Sequence, residues 1–136
     1  MTRPELYRWL RDDDGPDPEE FYPNASPHVH YVLAWDDAEL LGVVITHPIN
    51  TVCWEVHHAI LPSAWGARAH AIGLEFERWL WANTPAETAA GFTPACNRLA
   101  LRYARQHGMR ETGRIPRAYR RGGELFDLVV FAKTRN

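Results

Sequence analysis

The passage Ile60-Leu61-Pro62-Ser63-Ala64-Trp65-Gly66-Ala67-Arg68-Ala69-His70 marks the point where the chain changes its periodicity. Before it, Val52 to Leu61 alternates and is rich in β-branched and aromatic residues, which predicts a strand stopped by Pro62. After it, Ala69, Ile72, Gly73, Phe76, Trp79 and Leu80 recur at three- and four-residue spacing. That spacing predicts a helix from about Trp65 to Asn83. A strand running through a short loop into a long helix is the unit from which the rest of the chain is read.

Upstream, His30 to Trp35 reads as a strand, Asp36-Asp37-Ala38-Glu39 as a hairpin turn, and Leu40 to Thr46 as a central strand covered on both faces. Downstream, Ala86 to Phe92 is a short strand. Asn97 then opens a second helix carrying Leu99, Ala100, Tyr103, Ala104 and His107, with Gly108 at its C-cap. Met109 to Ile115 and Leu125 to Lys133 are two last strands, joined by a basic loop from Pro116 to Gly123. The order strand, strand, strand, helix, strand, helix, strand, strand predicts an α/β (α+β) fold with a mixed sheet. Residues 1–27 read as an N-terminal helix over Arg3–Arg11, broken by Asp12-Asp13-Asp14-Gly15-Pro16, followed by a wrapping arm through Phe21, Tyr22, Pro23, Asn24 and Pro27. Residues 28–136 form the body, and the whole is a single domain.

The composition sets limits on function. At 136 residues, 46% apolar and 24% charged, the chain is an ordinary globular protein, not a disordered, collagen-like or coiled-coil one. No membrane span or signal peptide is expected. Fifteen basic against seventeen acidic residues give a net charge of −2, so nucleic acid is not an expected partner. Two cysteines without a C-x-x-C partner argue against a disulfide framework and fit a reducing, cytoplasmic setting. Cys53 and Cys96 read as buried small hydrophobes. Trp79 and Trp81 read as packing residues, Trp81 being also the candidate contact of a homodimer.

Three features carry chemistry. The start of the long helix offers free N–H groups and the positive end of the helix dipole, an anion site in which small residues at 64, 66, 67 and 69 admit close approach and Arg68 adds a charge. On the strand Trp54-Glu55-Val56-His57-His58, period two places Glu55 and His57 on one face, and Trp54, Val56 and His58 on the other. Glu55 and His57 are the candidate bases, acting directly or through water. A metal site of His28, His30, His57 and His58 is disfavoured because no carboxylate completes the set at a diagnostic spacing, so no metal is expected. Arg98, Arg102 and Arg105 share one helical face and read as solvated surface, as does the basic loop.

In this order and spacing, the strand, Pro62-x-x-Trp65-Gly66, the long helix, the short strand, Asn97-x-x-Ala100 and Gly108 resemble the GNAT N-acetyltransferases. Within that superfamily the pattern is most similar to the branch that acetylates ribosomal-protein N-termini and to small phage-encoded members. Glu111-Thr112-Gly113-Arg114 and Asp127 fit that branch's last two strands. The resemblance spans residues 30–133 and implies a mixed, mainly antiparallel central sheet with flanking helices. It also implies acetyl-CoA as donor and a primary amine as acceptor: a protein N-terminus, a lysine or a small amine. By the same resemblance the coenzyme falls to Ile60 and Leu61, to Gly66, Ala67, Arg68, Ala69 and His70, and to Thr93, Asn97 and Ala100. Two departures stand out. Arg68 and His70 occupy loop positions where the family usually carries glycine. Ala104 stands where a tyrosine often serves as general acid; Tyr103, rotated about 100° around the helix, does not simply replace it. The alternative reading is a catalytically silent CoA-binding or partner-binding member of the superfamily.

Overall fold

The computed structural model describes residues 7, 8, 10–20, 22, 23 and 26–136. Its elements follow the expected order: β1 (His30–Asp36), β2 (Glu39–Pro48), β3 (Cys53–Ile60), a 3-10 turn (Pro62–Ala64), α1 (Ala67–Asn83), β4 (Thr88–Pro94), α2 (Arg98–Gln106), β5 (Arg110–Arg121) and β6 (Glu124–Thr134). The six strands form one sheet in the order β1-β2-β3-β4-β6-β5. Every neighbouring pair is antiparallel except β3–β4, which is parallel because α1 carries the chain back between them. The fold is therefore the expected α/β type with a mixed, mainly antiparallel sheet.

Both helices cover one face of the sheet. Trp54 lies opposite Ala89, and with Val56 they pack against Phe76 and Leu80 of α1. Gly91 lies opposite Phe131, which with Val129 packs against Leu101 and Ala104 of α2. On the other face Val43, Ala59 and Leu61 pack with Leu10 and Tyr31. The run Leu41–Val44 is buried throughout, as a strand covered on both faces requires. Phe131, Leu80 and Val44 are almost fully enclosed, and each such burial contributes about 1.5–3 kcal/mol.

Local chemistry sets the element ends. Asn97 caps α2 with its side chain, accepting from the Ala100 N–H at 3.1 Å. The same helix closes at Gly108 with N–H bonds from Gly108 to Arg105 and from Met109 to Ala104, a Schellman arrangement. α1 begins at Ala67, not Trp65, because the 3-10 turn and the extended Trp65 hold the chain out of helix until Gly66. The expected basic loop is corrected too. Residues 116–121 belong to β5, interrupted by a bulge between Ile115 and Tyr119 where the Arg117 N–H donates to Asp127 Oδ1. Pro116 is tolerated there because a bulge on an edge strand needs no ladder donor. The turn itself is confined to Gly122-Gly123. Cys53 and Cys96 are free and half-buried, less enclosed than their sequence context implies.

Of the expected N-terminal helix, Tyr7, Arg8 and Leu10 are helical, while Arg3–Leu6 and Trp9 lie outside the described residues, as do Phe21 and Asn24 of the arm. Tyr7 is buried. The segment after it is tied to the last hairpin: Tyr119 donates to the Arg11 carbonyl at 2.7 Å, and Gly123 N–H donates to Asp13 Oδ2 at 2.9 Å.

α1 and α2 meet at Gly73. A Cβ there would come within 2.3 Å of His107 Cε1 and 2.6 Å of the Tyr103 hydroxyl. Gly73→Ala is expected to destabilise the fold by about 1–3 kcal/mol through overpacking. The Gly73→Ala, His107→Ala pair should cost less than the sum of the two single variants, since the second change removes the His107 part of the clash. Urea unfolding measures this, and strict additivity would count against the contact.

Candidate active site

β3 and β4 pair over only three positions: Cys53 opposite Thr88, Trp54 opposite Ala89 and Glu55 opposite Ala90. Beyond Ala90 each keeps its outer neighbour, β3 with β2 as far as Ile60 and β4 with β6 as far as Pro94. The sheet therefore opens as a V, and the facing edges of residues 56–60 and 91–94 have no strand partner among the described residues. Two joined cavities, about 200 and 340 Å³, fill the opening and share Leu10, His58, Asn97, Ala100 and Tyr103 as walls. The outer cavity reaches Ile60, Trp65, Gly66, Ala69 and His70; the inner one reaches Val56, His57, Gly91 and Thr93.

The mouth of the cleft is the start of α1. The first helical hydrogen bond runs from His70 N–H to the Gly66 carbonyl, so the N–H groups of Ala67, Arg68 and Ala69 have no acceptor within the helix. Gly66, with φ 88° and ψ −131°, sits where L side chains are strained, and no atom of the described residues outside its chain neighbours lies within 4 Å of where its Cβ would be. Glycine is needed here for the backbone turn, not for space. Trp65 donates its indole N–H to the Ile60 carbonyl at 3.1 Å, fastening the loop to the end of β3.

Most of the residues singled out for the coenzyme come together here. Ile60, Gly66, Ala69 and His70 line the outer cavity, Thr93 the inner one, and Asn97 and Ala100 both. Leu61, Ala67 and Arg68 contribute no side chain to either cavity. Leu61 is packed with Val43 and Ala59 on the other face of the sheet. The Arg68 guanidinium is turned to the β1–β2 turn, 2.9 Å from Glu39 and 3.4 Å from Asp36. These carboxylates hold the charge that the sequence assigns to an anion, and the guanidinium in turn holds Glu39 below the usual carboxylate range.

Sequence reasoning missed the centre of the cleft. The Tyr103 hydroxyl donates to the Ala69 carbonyl at 3.1 Å and lies 3.2 Å from His58 Nδ1. A carbonyl only accepts, so the phenol proton is spent there and His58 Nδ1 carries the hydrogen of the second bond. Burial pushes the Tyr103 phenol up, so it stays protonated. Burial, reinforced by the charges of His107 and His57, pushes His58 down to about 3. Part of the His58 surface faces the cleft, yet the ring is packed against Phe76 and Tyr103, and this protein environment sets its protonation. His107, stacked on His70 at 4.6 Å, has both ring nitrogens buried without a partner among the described residues, and burial lowers its pKa as well. The available signal was the i, i+4 pair Tyr103/His107, which becomes a wall because Gly73 lets α2 approach.

On the opposite face of β3, Glu55 Oε1 lies 2.8 Å from His57 Nε2 and Glu55 Oε2 lies 3.5 Å from His47 Nε2. The hydrogen bond from His57 holds the Glu55 carboxyl below its ordinary value, keeping it ionised. The expected division of strand faces is what the contacts describe, but His57 borders the inner cavity and Glu55 does not. The four-histidine grouping does not assemble: His57 and His58 point to opposite faces, and His30 stacks on Trp54 at 5.7 Å.

A parted sheet of this topology with a helix start at its mouth is the GNAT fold, and solved structures agree. The spermidine/spermine N-acetyltransferase SpeG of Vibrio cholerae superposes with a TM-score of 0.72 at 16% identity, covering 81% of this chain and 67% of that one. The smu.2055 protein of Streptococcus mutans gives 0.75 at 13% identity over 98% and 90% of the two chains. The ribosomal-protein-alanine N-acetyltransferase of Brucella melitensis gives 0.67 at 15% identity over 79% and 69%. At such identities the likeness is one of fold. By sequence, residues 17–136 match the family DUF2824, described as a protein of unknown function, and the chain belongs to that family. A search of curated proteins gives no match.

His58 predicts a pH dependence of stability. Its pKa is lower in the folded state than the ordinary 6.5, so the unfolded chain takes up a proton first. Stability is full above pH 6.5 and falls as pH drops toward 3, by at most about 1.4 kcal/mol per pH unit from this one group. His107 acts in the same direction. His58→Gln should flatten the dependence measured by urea unfolding between pH 7.5 and 5; an unchanged slope would place the effect elsewhere.

Proposed function

We propose that the protein is an N-acetyltransferase that uses acetyl-CoA to acetylate a primary amine on a protein N-terminus, a lysine or a small molecule. The observation that carries this reading is the unpaired edge of β3 and β4 opening onto the first turn of α1. That arrangement suits a donor with a pyrophosphate at one end and an amide-bearing chain at the other. The free N–H groups of Ala67, Arg68 and Ala69 and the helix dipole favour the pyrophosphate. The exposed backbone of residues 56–60 matches amide groups laid along it, with Thr93, Asn97 and Ala100 as the opposite wall. Acetyl-CoA, when bound, supplies an acetyl group activated as a thioester. The acceptors named for the similar structures, a polyamine in one and a ribosomal-protein alanine in another, are consistent with an amine.

An amine near pH 10 attacks only after losing a proton. His57 borders the cavity and takes that proton, directly or through one water. Glu55 is the positioning residue: its carboxylate accepts from His57 Nε2 and leaves Nδ1 as the proton acceptor. Tyr103 is a wall, not an acid, because its proton is committed to the Ala69 carbonyl. An unpaired backbone N–H of the β3 edge is the donor for charge developing on the thioester oxygen. As the C–N bond forms the C–S bond breaks, and the thiolate of CoA leaves and takes its proton from water.

Acetyl-CoA at 100-fold over its dissociation constant should stabilise the protein by about 2.7 kcal/mol, an upward melting shift on the order of 10 °C. Gly66→Asp, which strains the turn and sets a negative charge against the phosphates, should weaken that binding roughly tenfold or more. No shift at millimolar acetyl-CoA would overturn the reading. A shift without turnover on any of a panel of amines would favour the catalytically silent alternative.

For catalysis, His57→Asn should lower turnover by roughly 10²–10⁴-fold with acetyl-CoA binding retained, and should remove the acidic limb of the pH–rate profile. Glu55→Gln should act in the same direction and more weakly. Full turnover and an unchanged profile in the double variant would remove the proton-transfer role from both.

A further inference from the structure

We propose that His47, Glu55 and His57 form a binding site for one divalent transition-metal ion of the zinc type. The two imidazoles and the carboxylate offer ligand atoms that all lie within 4.8 Å of one another. The sheet register creates the group: His47 on β2 stands directly opposite Glu55 on β3, and His57 follows two residues along on the same face. The chain spacing hides this, since His47 joins the Glu55-x-His57 pair only across the hairpin.

The donor set is chemically apt. Two neutral imidazoles with one carboxylate are a recurrent ligand set for zinc, cobalt and related ions, and three protein ligands leave a fourth position for water. Zinc bonds of about 2.0–2.2 Å hold tetrahedral ligands roughly 3.3 Å apart. Glu55 already stands 2.8 Å from His57 through Oε1 and 3.5 Å from His47 through Oε2, each within about half an ångström of that separation. The two histidine rings lie near-parallel with their centroids 6.0 Å apart, on the same side of the hairpin. Side-chain exposures of 35%, 19% and 38% for His47, Glu55 and His57 leave an entry path from solvent. Without the ion, Glu55 is shared between two imidazoles; the metal takes the place of those contacts, and each imidazole then carries its hydrogen on Nδ1.

Occupancy has a consequence that rests on the acetyl-transfer reading. The ion would engage His57 Nε2 and the Glu55 carboxylate and fix a hydrogen on Nδ1, the nitrogen that otherwise accepts the proton, so bound zinc would suppress turnover. The binding itself does not depend on that reading and is tested without acetyl-CoA or amine. Tag-free, chelator-treated protein is titrated with Co²⁺, and the visible absorption of tetrahedral cobalt and its displacement by Zn²⁺ are followed. One ion per chain is expected. His47→Gln and His57→Gln should each weaken binding by at least about 100-fold, while His28→Gln, at an exposed residue outside the cluster, should leave it unchanged. Nitrogen NMR of the unaltered protein should show Zn²⁺ shifting the imidazole signals of His47 and His57, a readout that does not require any variant to fold. Absent cobalt absorption, binding equal in wild type and His47→Gln, or zinc shifts confined to other histidines would each overturn the site.

Discussion

Two strands that pair for three residues and then separate need something to hold them apart. β3 is held to β2 through Ile60, and β4 to β6 through Pro94, so each outer ladder pulls its strand from the shared edge. The helices lock the separation. Lys133 on β6 reaches Glu77 on α1 at 2.7 Å and the His107 carbonyl at 3.0 Å, while Tyr103 on α2 reaches the Ala69 carbonyl on α1. Close approach of α1 and α2 at Gly73 is the condition for these bridges. Backbone groups normally spent on a ladder are left facing a cleft whose walls are otherwise largely apolar, and there they favour a ligand with amides of its own.

A single strand serves both sides of the opening through its alternation. Trp54 and Val56 anchor β3 to α1, and His58 continues that row into the cleft. Glu55 and His57 form the other row, half-open to solvent and partnered across the hairpin by His47. The two rows carry opposite electrostatic characters. His58 is kept neutral by burial, whereas Glu55 is kept ionised by the hydrogen bond it accepts. Neutral packing and charged chemistry are thus separated by the thickness of one strand.

Element order, strand faces and the Asn97 and Gly108 caps were legible in the sequence because each rests on local rules: period, capping and turn chemistry. The basic loop was misread because Pro116, Arg117 and two glycines look like a long turn, whereas Asp127 completes a bulge across the hairpin and lets β5 continue. Loop position alone assigns Arg68 to an anion; its partners, Asp36 and Glu39, lie about thirty residues upstream and meet it only once β1 and β2 are paired. Helical rotation alone sets Tyr103 aside, because it fixes direction but not how near a neighbouring helix comes. His47 was invisible as a partner of Glu55 until the register was known. Apart from the second half of β5, what the sequence hid was the distance between elements.

The irregularity of β5 bears on how an open sheet edge is guarded. A sheet already holding vacant backbone edges inside is at risk of recruiting foreign strands along its rim, where aggregation begins. β5 is one of the two outer strands, and it is a poor template. Its ladder is broken at residues 116–118, Pro116 presents no N–H, and Arg110, Arg114, Arg117 and Arg120 are exposed along it. The inner vacancy is protected differently: it is only four or five residues long on either side and sits behind Leu10. Strand pairing with another chain is thus discouraged at the β5 rim by charge and bulge, and in the cleft by shortness and cover.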